Sequence, residues 1–314
     1  MNTYIDSRQI TLSSDTAKSI KNGTYKSDCY FEFFGMLTDD DDILQSQISV
    51  ATAQIPISYY VINQYNNRLF YQLGTNPIQS VEFTQGNYNS SSFIDEMKAK
   101  IPSISVVFNK ITGKFIFART ASFNFLWFGS SCFSVLGLDP LQDYNVLSSP
   151  YNLPAPYPCQ FQGITRIKIS SSEFSTYSMD SKAGGFSNTL ASLAVNSSSY
   201  GILIYDNVSG YKPTLRNKII NSFDIQLLDD NDNLINFNNI DWRMTLQLDI
   251  TRQRKNYDKV FPKFSNIVDI KENPENPENQ GNVNIPENTD NQNIQETTGD
   301  SDLDFLLYQN GIYQ

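Results

Sequence analysis

From Trp242 to Ile250 every second residue is large and apolar, and the residues between them are polar. Because successive side chains of a β-strand point to opposite faces, this alternation predicts a strand with one buried and one solvated face. The run 223–227 alternates in the same way, and residues 229–233 between the two runs are of turn-forming types. We therefore expect two strands joined as a hairpin.

Short runs with the character of strands recur along most of the chain. They are rich in aromatic and β-branched residues, and polar or turn-forming residues separate them. Many short strands at this spacing are typical of a β-sandwich, so we predict an all-β or mainly β fold. The further runs lie at 29–35, 44–57, 67–73, 78–84, 104–118, 164–170 and 200–206.

Two segments depart from this pattern and favour helices. The serines at 90–92 offer N-caps, Phe93 and Met97 share one helical face, and Pro102 ends the segment. A shorter apolar run at 130–137 favours a short helix that stops at its final glycine. A run of that length is also compatible with a strand, and the sequence leaves this open.

Charge is concentrated at the C-terminal end of the chain. The net charge is −10 over 314 residues, yet residues 269–314 alone carry ten acids and one base, and the rest of the chain carries −1. The nearly neutral body predicts no direct binding to nucleic acid or to an anionic membrane. The segment 268–300 is rich in Asn, Glu and Pro and lacks the apolar residues that would order it, so we predict a disordered acidic linker.

The last residues, 301–314, are apolar again and include Leu303, Phe305 and Leu307. An apolar segment at the end of a polar linker predicts a docking peptide that binds a partner surface. The alternative is a terminal strand or helix that packs back on its own domain. The sequence leaves both possibilities open.

The residues that carry most enzyme chemistry are missing from this chain. It has no histidine, which excludes Ser-His-Asp and Cys-His catalysis and histidine metal sites. It has neither a Walker-type phosphate loop nor a GxGxxG motif. Only four glutamates precede residue 269, and no pair of them suggests a glycosidase. We therefore predict a protein that is not an enzyme, with no catalytic residues and no cofactor.

Three smaller patterns each have a structural and a functional interpretation. The acidic run Asp39–Asp42 and the loop 229–233 carry oxygen ligands that Ca²⁺ accepts, although solvated turns explain both, and we predict no metal site. A basic cluster predicts either a solvated edge or a contact with an acidic partner. The cysteines lack the spacing of a disulfide framework or a zinc site, so we predict idle thiols. The cluster comprises Arg252, Arg254, Lys255, Lys259 and Lys263, and the cysteines are Cys29, Cys132 and Cys159.

The start of the chain shows no targeting signal. Residues 1–10 have neither a basic start followed by an apolar run nor a cleavage site for a signal peptidase. No run approaches the roughly 20 apolar residues that a membrane helix needs. We therefore expect synthesis in the cytoplasm and no membrane-spanning segment.

Four blocks of the sequence, in this order, resemble penton (vertex) and minor capsid proteins of virophages and polinton-like viruses, which are small double-stranded DNA viruses. Each block is a pattern of hydrophobic positions rather than a catalytic signature. Together the blocks span most of the body of the chain. They lie at 48–71, 86–101, 123–138 and 219–250.

The resemblance implies a single jelly-roll β-sandwich over residues 28–267, in which two four-stranded sheets pack face to face. It also implies a small α+β insertion at about 86–140 and an N-terminal arm, residues 1–27, that reaches a neighbouring subunit. The implied function is a homopentameric plug at the five-fold vertices of an icosahedral capsid. The implied partners are other copies of the chain, the major capsid protein and other minor capsid proteins, all within the virion.

Two other functions fit the same fold. A minor capsid or cement protein would bind between capsomers instead of at vertices. A carbohydrate-binding or adhesion sandwich would use exposed tyrosine rings to stack sugars. Packing within the sheets is a sufficient explanation for the tyrosines that suggest this, which are Tyr59, Tyr60, Tyr65 and Tyr71.

Overall fold

The expected acidic linker at 268–300, the docking peptide at 301–314 and the basic residues Lys255, Lys259 and Lys263 lie outside the residues that the structure describes. The structure is a computed structural model. It describes residues 3–21, 25–37, 40–177, 179–180, 184–216 and 219–254.

Strands dominate the described residues, as the aromatic and β-branched runs predict. The helices are α1 (Ser90–Lys100) and α2 (Phe133–Leu136), and a 3₁₀ turn covers Ser14–Thr16. The strands are β1 (Thr3–Ser13), β2 (Ser19–Ile20), β3 (Asp28–Leu37), β4 (Ile43–Pro56), β5 (Arg68–Leu73), β6 (Gln79–Glu82), β7 (Ser105–Asn109), β8 (Lys114–Ala118), β9 (Phe123–Leu126), β10 (Tyr144–Val146), β11 (Asn152–Pro154), β12 (Arg166–Ser170), β13 (Met179–Asp180), β14 (Gly185–Phe186), β15 (Thr189–Ala194), β16 (Ile202–Asp206), β17 (Ile220–Leu228) and β18 (Arg243–Gln253).

Two antiparallel sheets form the jelly roll. Strands β1, β18, β4 and β16 lie side by side in the first sheet, and β15, β12, β17, β3 and β2 in the second. Strand β2 has only two residues. Without it, the strands numbered one to eight along the chain have the order 1-8-3-6 in one sheet and 2-7-4-5 in the other. This is the strand order of a jelly roll, so the expected mainly β sandwich is confirmed.

The inward positions of both sheets build the core of the jelly roll. In β18 the buried side chains of Met244, Leu246 and Leu248 alternate with polar residues. Isoleucine and leucine dominate this core, and Trp242 is its largest fully buried side chain. The indole N–H of Trp242 donates to the carbonyl oxygen of Lys26 at 2.6 Å. The one polar atom of the ring is therefore paired inside the core.

The segment 1–27, for which an N-terminal arm is expected, includes strand β1. Strand β1 pairs with β18 over all eleven of its residues. Its inward face begins with Asp6 and Arg8, whose charged groups meet at 2.8 Å, and continues with Ile10 and Leu12 in the core. Because Asp6 and Arg8 are charged, the sequence of β1 does not show the alternation of apolar and polar residues that marks a strand. Pairing with β18 is what makes the segment a strand of the jelly roll.

The hairpin expected between the runs 223–227 and 242–250 is wrong. Strands β17 and β18 belong to different sheets, so the chain between them crosses from one sheet to the other. The expected turn does form, because the carboxylate of Asp229 accepts hydrogen bonds from the backbone N–H groups of Asn231 at 2.8 Å and Asn233 at 2.9 Å. Turn chemistry is local, whereas the sheet that a strand joins depends on long-range packing.

A second hydrophobic core lies in the chain between β4 and β12. It is built with α1, α2 and two small sheets, β10-β9-β5-β6 and β11-β8-β7. Its buried residues run from Ile62 to Ala155, which is wider than the insertion expected at about 86–140. Strand β5 alternates like those of the jelly roll, and only its pairing with β6 and with β9 assigns it to the insertion. The division of the whole chain into domains stays a prediction.

Both expected helices are present, with one change at the start of the first. The side-chain oxygen of Asn89 accepts hydrogen bonds from the backbone N–H groups of Ser91 and Ser92, so the N-cap of α1 is this asparagine and not a serine. Helix α2 ends at Gly137, where φ is 74°. A Cβ at that position would lie 2.2 Å from the carbonyl oxygen of Tyr157. Both the left-handed backbone and this close approach require glycine.

Candidate functional site

The described residues do not assemble a metal site or an activated thiol. Across the part of the chain that the structure describes, no three His, Cys, Asp or Glu side chains are grouped so that they could hold a metal ion. Burial raises the pKa of the Cys29 thiol to about 12 and that of Cys132 well above its usual range. Both thiols are therefore protonated at neutral pH, and a protonated thiol is a poor nucleophile.

Arg252, the first residue of the basic cluster, pairs with carboxylates of the acidic run at 39–42. The guanidinium Nη1 of Arg252 donates to Asp40 Oδ2 at 3.1 Å and to Asp42 Oδ1 at 3.0 Å. Its Nε lies 3.7 Å from Asp6 Oδ2. Burial lowers the pKa of Arg252, but the hydrogen bonds to Asp40 and Asp42 outweigh that effect and raise it. Arg252 therefore holds the end of β18 to the chain before β4 through Asp40 and Asp42, and to β1 through Asp6.

A nearly buried carboxylate joins the elements on the outer side of the first sheet. Asp249 accepts hydrogen bonds from Lys212 Nζ at 2.6 Å, Ser7 Oγ at 2.7 Å and Gln247 Nε2 at 3.0 Å. Burial alone would raise the pKa of Asp249, but these hydrogen bonds and the charge of Lys212 lower it. The network ties β1, β18 and the segment after β16 together.

A second buried carboxylate lies in the second sheet. Asp224 Oδ1 accepts from the Ser172 backbone N–H at 2.6 Å and from Ser171 Oγ at 3.1 Å, and Oδ2 accepts from Ser172 Oγ at 2.8 Å and Lys21 Nζ at 3.2 Å. Burial raises the pKa of Asp224, whereas the hydrogen bonds from Ser172 and the Lys21 charge lower it, and the net shift is downward. With four donors on one fully buried carboxylate, Asp224 is a structural anchor.

Along the middle of β1 and β18 the outer face of the first sheet is polar and largely uncharged. Where β1 meets β18, Thr11 lies opposite Thr245 and Gln9 lies opposite Gln247. Hydroxyl and amide groups of this kind can contact water or another polar surface. The sheet ends at β1 on one side and at β16 on the other. Edge strands present backbone groups that can pair with another chain, so these edges are candidate interaction surfaces.

Two further areas expose apolar side chains. In the insertion, the rings of Trp127 and Phe128 are exposed and meet edge to face, with centroids 6.0 Å apart. Near β14, the guanidinium of Arg216 lies 4.3 Å from the ring centroid of Phe186 and 5.7 Å from that of Tyr177. Both areas are small aromatic clusters on the protein surface.

No helix among the described residues is long and apolar enough to cross a membrane.

A third exposed apolar area lies along the edge strand β16. Ile202 and Ile204 point outward from the first sheet, and Leu203 points into the core. The sequence analysis assigned this run to a strand and did not assign it to a surface. The signal was present, because four successive apolar residues at 202–205 leave no polar face for solvent.

Three of the four tyrosines that suggested sugar binding, Tyr59, Tyr60 and Tyr65, border one small cavity of about 20 Å³, and Tyr71 does not border it. Tyr59 and Tyr71 are buried, Tyr60 is half-buried and Tyr65 is exposed. The ring of Tyr59 packs edge to face against Phe237, with centroids 6.3 Å apart. Core packing accounts for the buried pair. The carbohydrate-binding function stays a prediction.

Comparison with known proteins gives similar structures for this chain. Neither a protein-family model nor a curated protein matches it. Among solved structures, the mavirus penton protein matches at 12% identity and a TM-score of 0.38, with 79% of this chain and 100% of that chain covered. A chain in the 3.5 Å cryo-EM structure of the Sputnik virophage matches at 11% identity and a TM-score of 0.38, with 79% of this chain and 98% of that chain covered.

Proposed function

We propose that this chain is a structural capsid protein that forms a homopentamer at the five-fold vertices of an icosahedral virion. The observation that carries the proposal is the strand order 1-8-3-6 and 2-7-4-5 of a complete jelly roll. A fold alone does not imply a function. The resemblance of the four sequence blocks to virophage pentons supplies separate support, because it comes from the sequence and not from the coordinates.

The shape of the sandwich is compatible with a ring. A closed ring needs a heterologous contact, in which one surface of a subunit binds a different surface of the next subunit. One flank of this jelly roll is bordered by the edge strands β15 and β16, and the opposite flank is bordered by β1 and β2. The two flanks therefore differ in sequence and in exposed side chains. Such unlike surfaces suit head-to-tail contacts, and this function requires no catalytic step.

Native mass spectrometry on the purified chain tests the proposal. We expect a mass of five subunits for the full chain and for a variant that ends at residue 267. Pentamers of both would mean that the jelly roll closes the ring by itself. A monomer at high concentration that also fails to bind a co-expressed major capsid protein would contradict the capsid role.

The position of the chain in particles separates the vertex role from the alternative cement role. We expect cryo-electron microscopy of assembled particles to show this jelly roll on the five-fold axes. Density between capsomers, away from those axes, would instead assign the chain as a minor capsid or cement protein. Either position would place it in the virion, next to the major capsid protein.

A further inference from the structure

We propose that the cleft between the insertion and the jelly roll is a binding site for a neutral saccharide. This inference does not rest on the capsid role, because a monomeric chain would bind the same ligand. It is carried by free amide groups that line the cleft, by carboxylates that are already paired, by an aromatic ring at the rim and by an unpaired hydroxyl beside an adjoining cavity.

Three parts of the chain form the cleft. Residues 61–66 and 131–135 belong to the insertion, 229–233 follow β17 of the jelly roll, and 160–165 connect the two regions. The volume of the cleft is about 320 Å³, and sites that bind small molecules have volumes of about 300–1,000 Å³. Such sites occur preferentially where two packed regions of a protein meet. The size and the position of the cleft therefore suit a small ligand.

Amide side chains without a partner line the cleft. Gln160, Gln162 and Asn231 border it and are exposed, and their side-chain amides make no hydrogen bond to any described residue. Each amide offers an acceptor oxygen and two N–H donors. The hydroxyl groups of a saccharide also donate and accept, so they can take the place of water on these amides.

The two carboxylates of the cleft are paired within the protein. Asp229 accepts hydrogen bonds from its own turn and from Asn233 Nδ2 at 3.1 Å. Asp230 Oδ2 accepts from the backbone N–H and from the hydroxyl of Thr165, both at 3.0 Å, and its Oδ1 lies 3.5 Å from Arg166 Nε. No lysine or arginine is among the described residues that line the cleft. An anionic ligand would meet only negative charge, and a cation would meet carboxylates that are already paired, so the cleft favours a neutral ligand.

An aromatic ring stands at the rim of the cleft. Tyr65 borders the cleft and is 41% exposed. Its backbone N–H donates to Asn63 Oδ1 at 2.9 Å, and its hydroxyl donates to the carbonyl oxygen of Leu234 at 3.4 Å. The ring is therefore held at its backbone and at its tip. A fixed aromatic face of this kind can stack against the C–H groups of a sugar ring.

A small cavity of about 20 Å³ adjoins the cleft. Asn63, Tyr65 and Asp229 line both the cavity and the cleft. Tyr59 also borders the cavity, and its buried hydroxyl has no hydrogen-bond partner among the described residues. An unpaired buried group of this kind is rare in folded proteins. The cavity has room for about one water-sized group, so a ligand hydroxyl that enters it would give Tyr59 a partner.

Saturation-transfer NMR on the full chain tests this site. The neutral probes are glucose, galactose, mannose, fucose, N-acetylglucosamine and N-acetylgalactosamine at millimolar concentration, and N-acetylneuraminic acid is the anionic probe. We expect saturation transfer to at least one neutral sugar and none to the anionic sugar. Transfer to no neutral sugar, or stronger transfer to the anionic one, would overturn the inference, whatever the mass of the protein proves to be.

Substitution of the free amides assigns the binding to this cleft. Gln160→Ala and Asn231→Ala together should weaken binding of the same sugar about tenfold or more, because two hydrogen bonds to the ligand are lost. The matched control is Gln79→Ala and Asn145→Ala together, which removes exposed amides from β6 and β10 and should leave the dissociation constant unchanged. All four side chains are exposed, so both variants should fold. A dissociation constant that is the same in both double variants and in the native chain would place the sugar elsewhere and overturn the assignment.

Substitution of Tyr65 tests the contact with the aromatic ring. Tyr65→Ala removes the ring and should weaken binding of the same sugar, whereas Tyr65→Phe retains the ring and should preserve most of the binding. Tyr157→Ala removes an exposed ring that does not border the cleft, and it is the control. If Tyr65→Ala binds the sugar as tightly as the control does, the stacking contact is wrong.

Discussion

The jelly roll and the insertion fill their cores with different side chains. The jelly roll has long strands, such as β4 with 14 residues and β18 with 11, and mainly Ile and Leu point inward. The insertion has strands of three to six residues, and phenylalanine dominates its core. A short strand offers only two or three inward positions, so each must bury more apolar area. The two regions therefore fill their interiors with different side chains, although β12, β15 and β16 of the jelly roll are as short as the strands of the insertion.

The two regions also differ in their polar contacts. The jelly roll holds the buried carboxylates of Asp224 and Asp249, each with several donors. In the insertion, the ion pair of Arg68 and Glu82 is exposed, with 51% and 59% of the two side chains accessible. Exposed pairs contribute little to stability, whereas a buried carboxylate becomes costly when its partners are removed. Mutations should therefore act differently in the two regions.

The largest loss of stability should come from Trp242→Ala in the jelly roll. The indole is fully buried, and its removal should lower the free energy of unfolding by about 5 kcal/mol. Urea denaturation followed by circular dichroism measures this. Trp242→Phe retains most of the volume and should lose less. Equal losses for the two variants would mean that the hydrogen bond to Lys26 matters more than the volume of the ring.

Phe93→Ala should weaken the insertion by about 3–4 kcal/mol. The ring of Phe93 packs against Phe83, with centroids 4.9 Å apart, and against Phe161, with centroids 5.3 Å apart. We expect faster amide exchange in α1 and β8, with β18 unchanged. Phe128→Ala, at an exposed ring of the same region, is the control and should change neither. Faster exchange in β18 as well would show that the two cores unfold as one unit.

Asp224→Ala should destabilise the jelly roll by about 3 kcal/mol, because buried donors lose their acceptor. The matched control is Glu32→Ala, which removes an exposed carboxylate paired with Lys18 and should cost less than about 1 kcal/mol. Urea midpoints of the two variants give the comparison. Similar midpoints would contradict the anchoring role of Asp224.

Acid should weaken the jelly roll through the same carboxylates. The pKa values of Asp224 and Asp249 are lowered in the folded protein. A carboxyl with a lowered folded pKa contributes its full stability above its unfolded pKa of about 4, and this contribution is lost as pH falls through the folded value. We expect the urea concentration at the midpoint of unfolding to decrease as the pH is lowered below about 4. Asp224→Asn should flatten that fall, and an unchanged pH profile would exclude Asp224 as a source.

The smallest effect should come from Asn89→Ala in the insertion. The side chain of Asn89 caps α1, and loss of a cap of this kind costs about 1 kcal/mol. Asn89→Ser preserves an acceptor at the same position and should restore most of the loss. Amide exchange in the first turn of α1 measures both. If serine fails to restore protection, the cap is not the cause.

Many of the strands could be predicted because alternation is a local property of the sequence. Strand β18 and the end of α2 at Gly137 follow from their own residues. Strand β1 could not be predicted, because Asp6 and Arg8 occupy inward positions that the pattern needs to be apolar. Strand β15 was missed as well, since Thr189–Ala194 contains small residues that give a weak alternation. Of the candidate surfaces, only the apolar run at 202–205 left a signal in the sequence.

The sequence by itself determined the period of strands such as β18, the lack of histidine chemistry and the separation of an acidic C-terminal end from a nearly neutral body. Only the tertiary structure decided which strands share a sheet and which apolar residues remain exposed. The partners of Asp224 show the reason, because Lys21 lies 203 residues away in the chain and Ser172 lies 52 residues away. Hydrogen bonds, burial and sheet edges arise from contacts between distant residues, and no local pattern of residues contains them.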